Sequence, residues 1–329
     1  MVCNRAIMED IKAISQIIEK EMEQFSDQLR ELLDSPIPLM NDISTHILAS
    51  GGKHIRPILT LLTAKTFGEI NTRALNAALM IEILHTATLI HDDVVDDSDE
   101  RRGKPSINAL WGSKLAVLAG DFLLAQSLNL PVRHNDLELL RDCTDVVKEL
   151  IEGEILQTQS SQNLDNTETL YFEIIRKKTA LLLGICAKSG ARATGASQEQ
   201  ILRMQEFGIL MGLMFQMQDD LFDYLPETET GKPTGNDLKE KKITLPLLHT
   251  LSVCSPGERS GLLYDLKHQT PELLENARVL VEMYQGVAYA IERMETLCSQ
   301  ARAILSEMPE NPAKNALYDL AGYTIARNK

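Results

Sequence analysis

Cysteines are few in this chain of 329 residues, and they follow no pattern. The five cysteines are odd in number and widely separated, and no two of them form a CxxC pair: Cys3, Cys143, Cys186, Cys254 and Cys298. A disulfide framework or a zinc knuckle needs an even set of closely spaced cysteines. The cysteines therefore predict neither class of protein.

The chain also lacks the patterns that direct a protein to or across a membrane. Residues 1–24 carry Glu and Asp among their apolar residues, without the basic start and apolar core of a signal peptide. No apolar run approaches the ~18 residues without a charge that a membrane-spanning helix needs. We therefore expect a cytoplasmic protein with no transmembrane segment.

Positive charge is in the minority. The chain has 33 Lys and Arg against 47 Asp and Glu, a formal net charge of −14. Binding to a nucleic acid backbone or lying as a cationic helix on a membrane surface requires a basic footprint, so neither partner is expected. An anionic substrate would require the positive side chains to be gathered in one place.

Apolar residues recur at helical spacing nearly everywhere. In residues 74–90 they return at three- and four-residue steps, and similar stripes occur in 115–128, 146–159, 170–189, 198–224 and 271–302. No period-two strand, βαβ alternation or low-complexity linker interrupts them. Length alone favours two domains of ~100–200 residues, but this pattern predicts that residues 1–329 form a single all-α domain, one large helical bundle.

The first acidic motif contains Asp92, Asp93 and Asp96. On a helix these side chains project at about 0°, 100° and 40°, within roughly one third of the circumference. A generic acidic run at a helix end is most simply a solvated face. Here the preceding residues, 83–90, are largely apolar, so the motif lies at the edge of a buried stripe.

A second motif repeats this spacing with Asp219, Asp220 and Asp223, after the apolar stretch 207–218. If the two motifs face each other, six carboxylates require cations or strongly raised pKa values. Oxygen-only ligands on rigid helices suit Mg²⁺, which completes its shell with water and phosphate oxygens. The pair of motifs therefore predicts a magnesium site and disfavours a glycosidase-type acid–base pair.

Basic residues flank both acidic motifs. They are Lys53 and Arg56, Arg101 and Arg102, Lys178 beside Thr179, and Lys232, Lys239, Lys241 and Lys242. Each alone is most simply a surface charge, but as a set they are typical of anion clamps, since Arg offers a planar fork to phosphate. His85 lies two turns before Asp92 on the same face, where we expect it to donate to substrate rather than only to fill the core.

With these motifs, the chain resembles the trans-type polyprenyl diphosphate synthases over essentially its whole length. The matching segments are GGKHIRP at 51–57, LIHDDVVDDSDERRGKPS at 89–106, the Lys178-Thr179 pair, FQMQDDLFD at 215–223 and GKPTGNDLKEKKITLPLL at 231–248. The motifs are most similar to those of long-chain, octaprenyl-like synthases. His54 departs from the pattern, because the family commonly has Arg there.

The resemblance implies an isoprenoid synthase fold with a central active-site cavity, a homodimer, and a prenyltransferase of the EC 2.5.1 type. Isopentenyl diphosphate would be condensed head-to-tail onto an allylic diphosphate with three Mg²⁺ ions per active site. The resemblance assigns the metal to Asp92, Asp96 and Asp219, with Asp93, Asp220 and Asp223 in outer or supporting roles.

The same resemblance distributes the remaining site residues. Arg101, Lys178, Lys232 and Lys242 would bind the allylic diphosphate, and Lys53, Arg56, His85 and Arg102 would bind isopentenyl diphosphate. Thr179 and Gln216 would lie beside the reacting carbon, where their dipoles steady developing positive charge.

Product length depends on residues that precede the first acidic motif. In the family, bulky aromatic residues four and five positions before it form a floor that stops growth, but here those positions hold Thr88 and Ala87, with Leu84 one turn further away. Gly208 and Gly212 either leave further room or serve close helix packing. The small side chains predict an all-trans product longer than C20.

Three alternatives remain at this stage. A short-chain synthase would make farnesyl or geranylgeranyl diphosphate with the same motifs. A terpene cyclase has no need of Lys53, Arg56, His85 and Arg102, and a non-catalytic synthase subunit would be expected to have lost carboxylates from one motif. The intact clamp and the two complete motifs favour a synthase.

Overall fold

A computed structural model describes residues 11–164, 167–224 and 235–326. The first half of the chain forms α1 (Ile11–Ser15), a 3₁₀ turn (Gln16–Ile18), α2 (Glu19–Leu32), α3 (Pro38–Ala49), α4 (Ile55–Phe67), α5 (Thr72–Val95), α6 (Ile107–Trp111), α7 (Ser113–Arg133) and α8 (Leu137–Asn163). The second half forms α9 (Glu168–Ile175), α10 (Leu181–Ala193), α11 (Gln198–Phe222), α12 (Asn236–Lys239), α13 (Leu245–Val253), α14 (Pro256–His268), α15 (Leu273–Met283), α16 (Gly286–Ser306) and α17 (Pro312–Ala326). The predicted all-α fold is confirmed.

Side chains in the sequence fix where the long helices begin. The Asn71 side chain accepts a hydrogen bond from an amide of the first turn of α5, and Asp136 does the same for α8. Ser197 and Gln200 form a capping box at the start of α11. Each cap satisfies amides that the first helical turn leaves without a partner, which contributes about 1 kcal/mol.

Helix α5 lies at the centre of the bundle. It packs against α2, α4, α7 and α10, and α10 packs in turn on α11. Residues 74–84 of α5 are all buried, so this helix is enclosed on every side rather than along the single stripe that the sequence predicted. A helix apolar on all sides is typical of a core position, and it carries the first acidic motif at its C-terminal end.

The structure departs from the predicted pattern of elements in two further places. The stripe at 271–302 is divided into α15 and α16 at Gln285, which has a left-handed φ of 56°. A short antiparallel hairpin, absent from the prediction, pairs β1 (Glu100–Arg101) with β2 (Lys104–Pro105).

The buried apolar residues form two clusters, and both contact Leu297 and Ile325. The single-domain organisation stays a prediction.

Two helices are long and apolar enough to cross a membrane by length and composition alone. In α5, 67% of the most apolar window is buried within the protein, as in the core helix of a bundle, whereas in α7 the share is 39%. These two helices are weak grounds for a membrane span, since core helices pass the same test.

Glycines on α11 allow it to approach α10 closely. A Cβ atom on Gly208 would lie 2.3 Å from the carbonyl oxygen of Leu183, and one on Gly212 would lie 2.4 Å from the Cα of Ala180. The sequence left two roles open for these glycines, room for the product or close helix packing, and the structure shows helix packing. Neither glycine supplies room for a growing product.

We predict that Gly208→Ala destabilises the fold by about 1–3 kcal/mol, because backbone atoms of α10 must move to admit the methyl group. The control is Gly261→Ala in α14, where an added Cβ meets nothing within 4 Å and helix propensity favours Ala by about 1 kcal/mol. Urea unfolding of both variants measures the difference. Equal stabilities would contradict the close packing of α10 and α11.

Candidate active site

The two acidic motifs lie at the C-terminal ends of α5 and α11. Asp92 and Asp93 belong to the last turn of α5, and Asp96 immediately follows that helix. Burial raises the pKa values of Asp92, Asp96 and Asp220, and the positive charge of Lys178 opposes part of that rise at each of them. Since one lysine influences carboxylates from both motifs, the fold brings the two motifs together around it.

Two carboxylates of these motifs are held by hydrogen bonds from their own surroundings. Asp93, only 4% exposed, accepts hydrogen bonds from Nε and Nη2 of Arg101 at 2.9 and 2.6 Å. Asp223 accepts hydrogen bonds from the backbone amides of residues 235–237, at the start of α12. Both therefore have structural partners, as expected of supporting residues.

Asp220 is enclosed in a chain of side-chain hydrogen bonds. The Tyr171 hydroxyl donates to Oδ2 at 2.7 Å and the Gln216 amide donates to Oδ1 at 2.9 Å. Gln216 in turn accepts a hydrogen bond from the Thr179 hydroxyl at 2.7 Å. Burial raises the pKa of Asp220 and the two donated hydrogen bonds oppose that shift. These linked hydrogen bonds fix Thr179 and Gln216 relative to the second acidic motif.

Asp92 and Asp96 differ from these residues. Within the described residues, no side-chain donor forms a hydrogen bond to either carboxylate. Burial, and next the charge of Glu154, raise the pKa of Asp92 to about 6, and burial likewise raises that of Asp96. A carboxylate whose ionised form is disfavoured in this way is suited to binding a cation.

The donor set fits Mg²⁺ rather than a softer metal, because it consists of carboxylate oxygens. Within the described part of the chain, however, no three His, Cys, Asp or Glu side chains lie close enough to enclose an ion by themselves. This agrees with the usual coordination of Mg²⁺, which takes one or two carboxylates and completes its shell with water and phosphate oxygens. Water molecules, or a phosphate-bearing ligand when one is bound, would supply the remaining oxygens.

Lys178 and Thr179 belong to a π-helical turn, Arg176–Ala180, between α9 and α10. The Lys178 ammonium donates to Gln157 and forms an ion pair with Glu154, each at 2.9 Å. A cavity of about 80 Å³ beside it is lined by Lys178, Gln216, Asp220 and Lys242 among others. Lys242 forms an ion pair with Glu240. Insertions of this kind in a helix are frequent at functional sites.

A second cavity, of about 180 Å³, lies between α2, α3, α5 and the β-hairpin. Its polar lining includes His54, Glu82, His85, Arg101 and Arg102, and its apolar lining includes Leu29, Ile47, Leu48, Leu89, Ile90 and Ile107. The hairpin is held against the loop before α4, since Arg102 donates to the Gly51 carbonyl and Lys104 donates to the Ala49 carbonyl.

Polar groups around this second cavity are arranged for an anion. The Nε of Arg56 is enclosed and has no hydrogen-bond partner among the described residues. Burial, followed by the charges of Arg56, Arg102 and Arg101, holds the pKa of His85 well below its usual range. His85 is therefore neutral at pH 7 and has one N–H group to donate. Because an unmade hydrogen bond to a buried charged group is costly, an anionic ligand would stabilise this cluster.

The other residues that the sequence assigned to the site each have their own surroundings in the structure. Arg101 is engaged by Asp93, and the Lys53 ammonium lies 5.3 Å from the ring centroid of Tyr323. Lys232 lies outside the described residues. Leu84 and Ala87 are each 1% exposed within the core, and the Thr88 hydroxyl donates to the His85 carbonyl.

Sequence reasoning missed several residues of the site. Tyr171 lies seven residues before Lys178, and Glu154 and Gln157 lie one turn apart on α8. Glu82, which is 8% exposed, lies one turn before His85. Tyr171 and Glu82 lie at a helical spacing from a predicted site residue, and Glu154 and Gln157 lie at such a spacing from each other. This spacing is the signal in the sequence that could have identified them. None of these residues stood out from its neighbours in composition.

Comparison with known proteins agrees with this geometry. A family model described as polyprenyl synthetase matches residues 37–283. The chain is 33% identical to a short chain isoprenyl diphosphate synthase of Methanothermobacter thermautotrophicus, an alignment that covers 95% of this chain and 98% of the relative. It is also 33% identical to the octaprenyl diphosphate synthase of Escherichia coli, over 97% of this chain and 100% of the relative.

Among solved structures, the polyprenyl synthase of Caulobacter crescentus CB15 complexed with calcium and isoprenyl diphosphate superposes with a TM-score of 0.91 and 31% sequence identity. That alignment covers 97% of this chain and 98% of the other. The predicted family and the predicted enzyme class are thus confirmed. The chain belongs to the polyprenyl synthetase family and is a prenyltransferase.

Proposed function

We propose that this enzyme condenses isopentenyl diphosphate head-to-tail onto an allylic diphosphate and makes an all-trans polyprenyl diphosphate longer than C20. The observation that carries the proposal is the pairing of two charged sites. One has carboxylates and Lys178, and the other has Arg102 and His85. The Asp93–Arg101 ion pair joins them, since both of its residues line the second cavity and Asp93 belongs to the first acidic motif.

The acidic side is proposed to hold the allylic diphosphate. Asp92, Asp96 and Asp219 would bind three Mg²⁺ ions together with the substrate, and Asp93, Asp220 and Asp223 would keep the motifs in position. Mg²⁺, when bound, supplies Lewis-acid charge that weakens the allylic carbon–oxygen bond. Lys178, Lys242 and Lys232 would add positive charge to the same diphosphate, and Arg101 would contribute while it holds Asp93.

The basic side is proposed to hold isopentenyl diphosphate. Arg56 lies in the first turn of α4, which begins without a side-chain cap. An uncapped helix start and enclosed guanidinium groups both favour an anion. Lys53, Arg56, His85 and Arg102 would therefore bind the diphosphate, and the apolar part of the second cavity would receive the five-carbon tail.

The reaction then follows from the placement of the two substrates. The allylic carbon–oxygen bond breaks, the isopentenyl double bond attacks the resulting cation, and a proton is lost to the departed diphosphate. Thr179 and Gln216 steady the cation through their dipoles. An apolar cavity is required because water would otherwise quench the cation.

Product length is proposed from the volumes of residues on α5. The relatives include octaprenyl, nonaprenyl and heptaprenyl diphosphate synthases, which support a long-chain product, and one short-chain synthase at 33% identity. Ala87 and Thr88 are small where the family's short-chain members commonly have aromatic residues. Without that floor, the prenyl chain can extend along α5 past Leu84.

The full proposal is tested by incubating the protein with farnesyl diphosphate, isopentenyl diphosphate and Mg²⁺ and sizing the products by chromatography after dephosphorylation. We expect products longer than C20, and no turnover when isopentenyl diphosphate is omitted. Products that end at C15 or C20 would contradict the length proposal. Absence of isopentenyl-dependent diphosphate release would contradict the function itself.

We predict that Ala87→Phe shortens the product without abolishing turnover. The aromatic ring would supply the floor that the natural residue lacks, whereas the diphosphate-binding residues are unchanged. Ala87→Ser is the matched control, because it alters the same position with little added volume and is expected to keep the product length. Equal product lengths for Ala87→Phe and the natural enzyme would show that growth is stopped elsewhere.

Metal binding is predicted to weaken as the pH falls. The pKa of Asp92 is raised to about 6, so below pH 6 a proton occupies the carboxylate that Mg²⁺ requires in ionised form. Each proton that the metal must displace lowers its apparent affinity about tenfold per pH unit in this range. Thermal shifts with increasing Mg²⁺ at pH 5, 6 and 7.5 measure the effect.

Asp92→Asn is the control for this titration. It is expected to bind Mg²⁺ more weakly at pH 7.5 and to lose much of the dependence on pH. An affinity for Mg²⁺ that is constant from pH 5 to 7.5 in the natural protein would contradict the assignment of Asp92 as a ligand.

A homodimer in the cytoplasm is part of the same proposal. Helices α7 and α8 form a hairpin and expose apolar side chains at about the same distance from its turn, including Leu118 at 53% exposure and Ile155 at 63%. Exposed apolar surface of this kind is typical of a protein interface. The partner we propose for it is a second copy of this chain.

A further inference from the structure

His54 has an unusual combination of backbone and side-chain contacts. Its φ of 49° and ψ of 40° are in the left-handed region, which costs about 1–2 kcal/mol for a residue other than Gly. Its ring packs edge-on against Phe25 at 5.9 Å. Such a conformation persists only where the surroundings hold it in place. His54 also lies next to Lys53 and two residues before Arg56.

The hydrogen bond of His54 goes to a buried carboxylate rather than to the helix that it precedes. Its Nδ1 lies 2.9 Å from Oε1 of Glu82, and its side chain caps no amide of α4. Glu82 is only 8% exposed, and its other oxygen, Oε2, has no hydrogen-bond partner among the described residues. His54 therefore supplies the hydrogen bond that this buried carboxylate receives from a side chain.

Glu82 interacts electrostatically with two guanidinium groups, that of Arg102, which lines the second cavity with it, and that of the buried Arg56. Burial lowers the pKa values of Arg56 and Arg102, and the negative charge of Glu82 opposes that shift. The positive charges of both residues in turn help to lower the pKa of Glu82. Burial alone would raise the pKa of Glu82, but the hydrogen bond and charge of His54 reverse the shift. A carboxylate that lost His54 would draw Arg56 or Arg102 toward itself, because a buried charge without a partner is strongly unfavourable.

The geometry points to His54 as a positioning residue that engages Glu82 and thereby leaves Arg56 and Arg102 available to isopentenyl diphosphate. This inference rests on the proposed function of the second cavity. It also accounts for a histidine where the family commonly has Arg, since both side chains donate hydrogen bonds to a carboxylate. His54 itself touches no reacting atom in this arrangement.

The first test is His54→Gly, which keeps the left-handed backbone without strain but removes the hydrogen bond to Glu82. We expect the KM for isopentenyl diphosphate to rise about tenfold, the size of effect typical of a lost hydrogen bond to a charged group. The KM for the allylic diphosphate and kcat are expected to change less than about threefold, because the acidic side is untouched. His134→Ala, at an exposed position, is the control for changes unrelated to the cavity.

The second test is the double variant His54→Gly with Glu82→Gln. Glutamine has the shape of Glu82 without its charge, so it no longer competes for Arg56 and Arg102. We expect the KM for isopentenyl diphosphate to return to within about threefold of the natural value. A structural role of His54 predicts no such recovery, since the double variant has lost both partners.

A third variant keeps the inference testable if the glycine variants do not fold. His54→Arg restores a donor to Glu82 and is expected to keep both KM values within about threefold of the natural enzyme. A KM for isopentenyl diphosphate as high in the double variant as in His54→Gly would overturn the inference. So would a rise in the KM values for both substrates together in His54→Gly. Failure of the natural enzyme to use isopentenyl diphosphate would instead overturn the proposed function.

Discussion

Repulsion among carboxylates is the interaction around which this site is organised. Two unit charges about 4 Å apart repel by about 4 kcal/mol at an effective dielectric near 20, and two buried helices end in three carboxylates each. The fold relieves part of this repulsion by binding Asp93 to Arg101 and Asp220 to Tyr171. Asp92 has a raised pKa, chiefly because it is buried and next because of the charges of Glu154 and Asp96. The site is thus held together by hydrogen bonds and left with an affinity for cations.

Repulsion between like charges also organises the basic side, where the charges are positive. Arg102 and neutral His85 line one cavity, the charge of the buried Arg56 acts on both, and the clustering of positive charge costs free energy until an anion binds. A single buried carboxylate, Glu82, offsets part of that cost. Each side therefore keeps internal counter-charges, which include Arg101 and Lys178 among the acids and Glu82 among the bases. The Asp93–Arg101 ion pair lies where the acidic and basic sides meet, so it would allow the two proposed substrates to lie close together.

The sequence alone predicts the helices and the acidic motifs because both are local patterns. Helical spacing identified α5 and α11 with the motifs at their ends. What it missed depends on contacts between distant segments. The π-helical turn at Lys178 contains no Gly or Pro that would indicate it. The break at Gln285 is followed by Gly286, but the helical spacing of apolar residues on both sides favoured one continuous helix. Tyr171 became a site residue only through the fold, which brings it within 2.7 Å of Asp220.

Product length is the property that such patterns determine least, and the reason is physical. In the proposed mechanism every cycle of addition uses the same carboxylates, guanidinium groups and amide dipoles, so the residues that bind diphosphate do not depend on the length of the chain already made. Growth would end where the prenyl chain meets a side chain that it cannot displace, and we propose that a few atoms on α5 decide that point. Relatives with different products can therefore be equally similar to this chain, as the short-chain and octaprenyl synthases at 33% identity are. The proposed length of the product therefore depends on the volume at Ala87 and Thr88 as well as on overall similarity.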